Sequence, residues 1–317
     1  MTKTGYLLTN TGSPRSCRVE DVRQYLETFL TDPAVMGMPY LLRQLLVRRV
    51  IAPTRAPKSA ERYRRIWLPE GAPLKVYSRQ LADEIERLSG APAYVAMRYE
   101  EGSVERALRQ AEADGVTELI SQPLYPHFAS SSFGTVQDFI RRSYDRLRPG
   151  YQLIERGPFY EHPLFIRSLA EQIASAELPA DTHLIFSFHG IPLSQVKPYA
   201  GDPERDYPYQ CRRTMELLQK QPEVRRLWSC ELVYQSRFGH RWLAPELTKR
   251  LAALPTEGTK SVAVICPSFV ADCLESLEEV GLQGRELFLR AGGKRLTLIS
   301  CPNGSPTLAR ALLNSQY

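Results

Sequence analysis

Short apolar runs alternate with amphipathic helical patterns along nearly the whole chain, and this alternation limits the folds it can adopt. Apolar runs cover residues 5–8, 119–124, 183–188 and 262–266, among others. Between them, apolar residues recur at the three- to four-residue spacing of a helix with one buried face. Strands alternating with helices favour parallel sheets covered by helices. The predicted fold class is therefore α/β.

The alternation runs through two rounds that join near residues 157–158, which predicts two domains. A length of 317 residues also exceeds what one hydrophobic core usually supports. We expect two doubly wound domains with a cleft between them, the first covering residues 1–158 and the second covering 159–300. Residues 301–317 contain a final helix that begins near Pro306.

Bulk composition narrows the classes of partner and location. The formal net charge of +6 is spread along the chain without a run of like charges, so no nucleic-acid role is expected. No apolar stretch reaches the roughly 20 residues of a spanning helix. The N-terminus lacks signal-peptide architecture. We expect a cytoplasmic protein. Peripheral contact with a membrane stays open, because residues 41–65 mix leucines with arginines. Such a segment could rest against an acidic membrane surface or frame an acidic ligand.

The six cysteines are scattered and form no C-x-x-C pair. Neither a zinc ribbon nor an iron–sulfur cluster is indicated, and reduced thiols are the simplest interpretation. The chain also lacks a Gly-x-Ser-x-Gly elbow and a Gly-x-Gly-x-x-Gly loop, so a hydrolase triad or a nucleotide site has little support. No tightly bound cofactor is expected.

His189 is the first candidate catalytic residue. It follows the apolar run 184–188 and precedes Gly190 and Pro192. Glycine allows close backbone approach and proline fixes the exit of a turn, so this context favours a functional group held at a strand tip. The carboxyl ends of parallel strands are where ligands bind in open α/β sheets.

Glu275 is the second candidate, because it follows the most hydrophobic predicted strand, residues 262–266. In an α-helix, Glu275, Glu279 and Gln283 would share one face at i, i+4 and i+8. This row is either a solvated acidic face or a set of carboxylates with water or a cation between them. An imidazole opposite a carboxylate can remove protons from a ligand and can hold a divalent metal.

Other residues at predicted strand ends are candidates for binding. Arg98, followed by Tyr99, could pair either with a ligand carboxylate or with a neighbouring acid. His127 and Trp242 lie in predicted loops and could line a pocket. His162, His183 and His240 have no supporting context, and we expect them to be structural.

Together these residues resemble the ferrochelatase family, whose members insert ferrous iron into a porphyrin to make haem. The matching segments are 10–14, 63–67, 71–74, 98–99, 123–126, 186–192, 234–237 and 269–279. They extend over nearly the whole chain, and the segments with His189 and Glu275 are the most specific.

The resemblance implies two similar Rossmann-like domains with a porphyrin cleft between them and the final helix packed back on the first. Residues 36–65 would form the lip of the cleft, a segment often linked to membrane contact. The site residues that the resemblance implies are the catalytic pair His189 and Glu275, the substrate-binding residues Thr11, Arg98, Tyr99, His127 and Trp242, and the metal-binding residues His189, Glu275 and Glu279.

The implied reaction fits the chemistry of these residues. Two pyrrole protons must leave before a metal can enter the ring. A histidine with an ordinary pKa near 6.5 can accept one of them at neutral pH. Glu275 can hold the other or balance the charge of the entering ion, and oxygen and nitrogen ligands suit weakly held ferrous iron. The porphyrin and Fe²⁺ are thus substrates of a lyase, which would act as a monomer or a dimer.

Several residues depart from the family pattern. Thr11 stands where an apolar residue is common, His127 replaces a common glutamine and is similar to the coproporphyrin-using branch, and Gln283 stands where a third acid often completes the row. We expect protoporphyrin IX rather than coproporphyrin III as the substrate. The alternatives are a related chelatase for another metal or ring, and a tetrapyrrole-binding paralogue without catalytic activity.

Overall fold

A computed structural model describes residues 2–237 and 241–314 of the chain, so His240 lies outside the described residues. The chain divides into two compact units. The first contains residues up to Leu124 together with Ser130–Gly157, and the second contains Tyr125–Ala129 and the residues from Pro158 onward.

The described residues form eight strands. They are β1 (Thr4–Asn10), β2 (Ala93–Met97), β3 (Glu118–Pro123), β4 (Gln152–Glu155), β5 (His183–His189), β6 (Ser229–Gln235), β7 (Ser261–Ile265) and β8 (Arg295–Leu298). The first unit has a sheet of order β2-β1-β3-β4, and the second has a sheet of order β6-β5-β7-β8. All neighbouring strands are parallel. The predicted α/β class with two similar parallel sheets is therefore confirmed.

Helices connect and flank these strands. They are α1 (Val19–Leu30), α2 (Tyr40–Leu46), α3 (Ala52–Ile66), α4 (Pro73–Ser89), α5 (Ser103–Ala113), α6 (Thr135–Leu147), α7 (Pro163–Ser175), α8 (Leu193–Val196), α9 (Tyr207–Gln219), α10 (Pro222–Arg225), α11 (Leu247–Ala253), α12 (Arg285–Arg290) and α13 (Pro306–Asn314). π-Helical segments cover Val47–Ile51, Ser130–Gly134 and Leu274–Gly284, and a short 3₁₀ helix covers Lys197–Tyr199. Within the described ranges, no helix combines the length and apolarity needed to cross a membrane.

Two arrangements differ from the expected domain organisation. The short segment Tyr125–Ala129 belongs to the second unit, because the Phe128 N–H donates to Gln210 Oε1 at 2.7 Å and His127 packs there as well. The final helix α13 also belongs to the second unit, where it packs against α7. The family resemblance predicts packing on the first domain instead. Its buried face includes Leu308 and Leu312 with the small Ala309 and Ala311 between them, and small residues allow close approach of two helices.

The core of the second unit explains the position of its strand ends. Ile185, Val264 and Phe288 are fully buried in one apolar cluster, which fixes β5 and β7 side by side. β5 pairs with β7 only up to Phe186, while it pairs with β6 as far as His189. The last residues of β5 therefore extend beyond β7 at the carboxyl edge of the sheet.

Candidate active site at the carboxyl edge of the second sheet

His189 is the last residue of β5 and is half-buried as a whole residue. Its Nδ1 atom is buried and has no hydrogen-bond partner among the described residues. The ring packs edge-on to the ring of Phe269, with centroids 5.9 Å apart and an interplanar angle of 79°. Within the described part of the chain, no hydrogen bond at Nδ1 therefore fixes the tautomer or the orientation of the ring.

Glu275 lies close enough to His189 to affect its protonation. Burial lowers the pKa of His189 from its ordinary value, and the Glu275 carboxylate partly opposes this shift by raising the pKa. The imidazole is therefore neutral at neutral pH, and a carboxylate nearby stabilises the imidazolium that forms when it accepts a proton. The predicted pair thus comes together within a single unit of the fold.

The turn after His189 depends on Gly190. The Gly190 N–H donates to the carbonyl oxygen of Gln235 at 2.8 Å. A Cβ atom on residue 190 would lie only 2.7 Å from that oxygen, which is part of the backbone and cannot rotate away. Trp242 is beside this turn, because its Cε3 atom would lie 3.6 Å from the same Cβ and its backbone forms a bridge with Pro192.

The segment that carries Glu275 is π-helical over Leu274–Gly284 rather than α-helical. Its wider winding bonds i to i+5, so residues four apart stay on one side of the helix and residues five apart are brought together as well. Glu279 Oε2 accepts a hydrogen bond from Ser236 Oγ at 2.5 Å. Gln283 Nε2 donates instead to Glu278, which is fully buried.

The proposed metal ligands do not form a preassembled cage. Among the described residues, no three His, Cys, Asp or Glu side chains are grouped so that they could hold a metal ion.

The helix that contains Glu275 is anchored by Asp272 and capped by Cys273. Asp272 Oδ2 accepts from Asn303 Nδ2 at 2.9 Å and from the Cys301 N–H at 3.2 Å, while its Oδ1 accepts from Ser276 Oγ at 2.8 Å. Burial raises the pKa of the Cys273 thiol well above its usual range, so it stays protonated. The sequence gives no sign of these contacts, because the partners of Asp272 are 29 and 31 positions away.

Arg98 and Tyr99 lie at the carboxyl edge of the first sheet, directly after β2, and bind an acid of the chain itself. The Asp32 Oδ2 atom accepts from Arg98 Nη2 at 3.0 Å, from the Tyr99 hydroxyl at 2.9 Å and from Thr135 Oγ1 at 2.9 Å. The Arg98 guanidinium also lies 3.9 Å from the centroid of the Phe139 ring. Of the two interpretations left open for Arg98, the structure favours the neighbouring acid.

Thr11 lies in the loop after β1, at the same edge as Arg98 and Tyr99. Its N–H donates to Asn10 Oδ1 at 2.8 Å, and its carbonyl accepts from the Tyr99 N–H at 3.0 Å. The neighbouring Gly12 has a φ of +105°, a conformation that glycine adopts readily. The fold thus gathers three of the predicted substrate-binding residues at one strand edge.

His127 is not exposed to a ligand, contrary to its predicted role in a pocket. Only 2% of the residue is exposed, and its ring contacts the rings of Phe188, Tyr160 and Tyr207. Its Nε2 lies 2.9 Å from Thr214 Oγ1. The interior position lowers the pKa of His127 to about 3 through burial. The predicted substrate contact of His127 is therefore wrong, because an aromatic cluster covers the residue.

The fold of this chain is similar to that of a solved chelatase structure. A structure of SirB from Bacillus subtilis with Fe3+ aligns with a TM-score of 0.56 and 12% sequence identity over 99% of this chain and 94% of that one. This likeness concerns the fold alone.

Sequence similarity then gives the family. A family model described as Ferrochelatase matches residues 3–315. The ferrochelatase of Pseudomonas aeruginosa is 37% identical over 332 residues, which cover 98% of this chain and 97% of that protein. The ferrochelatase of Pseudomonas fluorescens is 40% identical over 333 residues, with 98% and 97% covered. The chain belongs to the ferrochelatase family and is an enzyme of the lyase class.

Proposed function

We propose that this enzyme inserts ferrous iron into protoporphyrin IX and releases two protons, with His189 and Glu275 as the catalytic pair. The family supports iron chelation in haem synthesis. The observation that carries the site assignment is the neutral His189 imidazole, whose Nδ1 has no partner among the described residues and whose pKa responds to the Glu275 carboxylate.

The proton balance follows from these two groups. The porphyrin loses two N–H protons, which leaves its ring as a dianion whose nitrogens bind Fe²⁺. His189 accepts one proton as a general base, and the Glu275 carboxylate stabilises the imidazolium and accepts or relays the second. Glu279, which Ser236 orients, lies one step further along the same helix and would accept protons or iron in transit.

The choice of protoporphyrin rests on the charge of the first sheet edge. Coproporphyrin carries twice as many carboxylates as protoporphyrin and needs more cationic partners. Arg98 is already paired with Asp32, so this edge offers less free positive charge for additional carboxylates. Trp242, which lies beside the turn after His189, would contact the ring or its edge.

The test is an anaerobic iron-insertion assay with protoporphyrin and coproporphyrin side by side. The wild type should turn over protoporphyrin faster. Loss of a general base typically lowers kcat by about 10²–10⁴-fold, so His189→Ala and Glu275→Gln should both be slow. If neither variant slows insertion, the site assignment is wrong. Porphyrin binding without turnover in the wild type would indicate a carrier, and turnover only with another divalent metal would indicate a different chelatase.

We also propose peripheral contact of the first unit with an acidic membrane. The surface of α2 and the following π-helical turn exposes Tyr40, Leu41, Leu42, Leu45 and Val50, and 79% of Leu41 is exposed. The neighbouring exposed basic residues are Arg48, Arg49, Arg55, Lys58, Arg64 and Arg65. Arg43, by contrast, is buried and donates to the carbonyl oxygens of Thr31 and Met38, so it does not belong to this surface.

Co-sedimentation with lipid vesicles tests this contact. The protein should bind vesicles that contain phosphatidylserine more strongly than pure phosphatidylcholine vesicles, and binding should weaken in high salt because the attraction is partly electrostatic. The double variant Leu41→Ser/Leu45→Ser should bind less, whereas Leu289→Ser, at an exposed leucine of the second unit, should bind as the wild type does. Equal binding by all three proteins would contradict the proposal.

A further inference from the structure

Both backbone polar groups of His189 are bonded to side chains from other parts of the second unit. The His189 N–H donates to Ser268 Oγ at 3.0 Å, and the Tyr207 hydroxyl donates to the His189 carbonyl oxygen at 2.8 Å. The Tyr207 and Ser268 oxygens are themselves 3.0 Å apart. The three residues therefore close a ring of hydrogen bonds, which we call the backbone ring.

Only one set of hydrogen directions satisfies all three contacts. An amide N–H can only donate and a carbonyl oxygen can only accept, which fixes the bonds from His189 to Ser268 and from Tyr207 to His189. The remaining Ser268 hydrogen then points to the Tyr207 oxygen. Each hydroxyl in the ring accepts one bond and donates one, and such chains polarise and strengthen each other in a buried setting.

Tyr207 and Ser268 lie on two different elements of the second unit, and both are buried. Tyr207 is the first residue of α9, and only 4% of it is exposed. Ser268 lies in the loop between β7 and the Glu275 helix, and 8% of it is exposed. The backbone ring therefore connects the strand end that carries His189 with the segment that leads to Glu275.

The imidazole itself lacks a comparable anchor at Nδ1, which has no hydrogen-bond partner among the described residues. Many catalytic histidines are oriented by a bond from one ring nitrogen to a carboxylate or carbonyl. In this chain the packing against Phe269 and the fixed backbone must set the direction of the ring instead.

We propose that Tyr207 and Ser268 are positioning residues that hold the His189 backbone through the backbone ring, so that its imidazole faces the substrate without a hydrogen bond of its own at Nδ1. This inference rests on the proposed function, because it assumes that His189 accepts a proton from the porphyrin. Neither side chain is assigned a contact with the substrate.

The test measures kcat, KM and porphyrin affinity for Tyr207→Phe, Ser268→Ala and the double variant. A displacement of about 1 Å at a reacting group can cost up to about 10²-fold in rate, so we expect kcat to fall about 10- to 100-fold. KM and the Kd for porphyrin should change by less than about 3-fold. Because both residues act through one ring, the double variant should be little slower than the slower single variant.

Three further variants control for structure and side-chain chemistry. Tyr209→Phe changes a tyrosine of the same helix that is 38% exposed, and it should leave kcat unchanged. Ser268→Thr keeps the hydroxyl and should retain most of the wild-type kcat. Ser268→Cys keeps the volume with a weaker donor and should be intermediate, and it replaces Ser268→Ala if thermal unfolding shows that the alanine variant does not fold.

The outcomes separate this inference from the proposed function. If His189→Ala is inactive while Tyr207→Phe and Ser268→Ala are folded and retain the wild-type kcat, the positioning role is wrong and the proposed function stands. Effects confined to KM, or multiplicative effects in the double variant, would also overturn it. If His189→Ala retains the wild-type kcat, the proposed catalytic pair fails and the positioning role fails with it.

Discussion

At the scale of single residues, His127 is a buried titratable group that should make stability depend on pH. Its pKa is about 3 in the folded protein because of burial, against about 6.5 in an unfolded chain. Between these values the unfolded state binds more protons than the folded state, so stability falls as the pH decreases below 6.5. Above 6.5 the residue is neutral in both states and contributes no pH dependence.

Replacement by a residue that does not titrate should remove this dependence. We expect His127→Phe to lose less stability than the wild type on acidification, with a difference of about 1.4 kcal/mol per pH unit below 6.5. Urea unfolding of both proteins at pH 7, 5.5 and 4.5 measures it. Other titrating groups are common to the two proteins and cancel. Parallel pH profiles would mean that His127 is not buried as a neutral group.

The chemistry of individual site residues could be predicted from sequence better than their partners could. His189 and Glu275 were identified from their places after two apolar runs, because strand ends of a parallel sheet converge on one edge. The partner of Arg98 could not be identified, because Asp32 is 66 positions away and has no periodic pattern around it. Tyr207 and Ser268 carried no signal for the same reason.

At the scale of elements, the turn from β5 depends on a close backbone contact rather than on an unusual backbone angle. The expectation that Gly190 allows close approach agrees with the 2.7 Å that would separate a Cβ from Gln235 O. We predict that Gly190→Ala lowers the free energy of unfolding by about 1–3 kcal/mol, the usual cost of overpacking, and also lowers kcat because the end of β5 must shift.

Gly157→Ala is the matched control for this prediction. No heavy atom lies within 4 Å of a Cβ at residue 157, and the residue is exposed, so its stability and kcat should match the wild type. Thermal unfolding and the iron-insertion assay measure both effects. Equal behaviour of the two variants would show that the turn can relax and that the close approach has no energetic consequence.

Helix type was the element-level feature that the sequence did not reveal. The periodicity of residues 274–284 is compatible with an α-helix, and a π-helix differs from it by only one residue in hydrogen-bond spacing. With this longer spacing, Gln283 donates a hydrogen bond to Glu278, and Glu279 accepts one from Ser236. A row of residues on an α-helix does not predict either contact. Helix starts at Pro163 and Pro306 were predictable, because proline is favoured in the first helical turn.

At the scale of the whole molecule, the stability of the second unit should depend on the end of the chain. Leu308 is fully buried in α13, which packs against α7. Leu308→Ala should lower the free energy of unfolding by about 2–5 kcal/mol, the range for removing a buried leucine side chain. Leu313→Ala, at a partly exposed position of the same helix, should cost less. Chemical unfolding of both variants measures the two losses in free energy of unfolding. Equal losses would mean that the buried face of α13 is not part of the core.

The repeated strand order has a consequence for how function can be dissected. β1 and β5 are both seven residues long and central in their sheets, so Asn10 ends the first as His189 ends the second. The molecule thus contains an internal comparison, in which one scaffold occurs once with an imidazole and once with an amide at the equivalent position. Exchanging these two side chains would show, within one protein, which properties come from the strand end and which come from the imidazole or the amide.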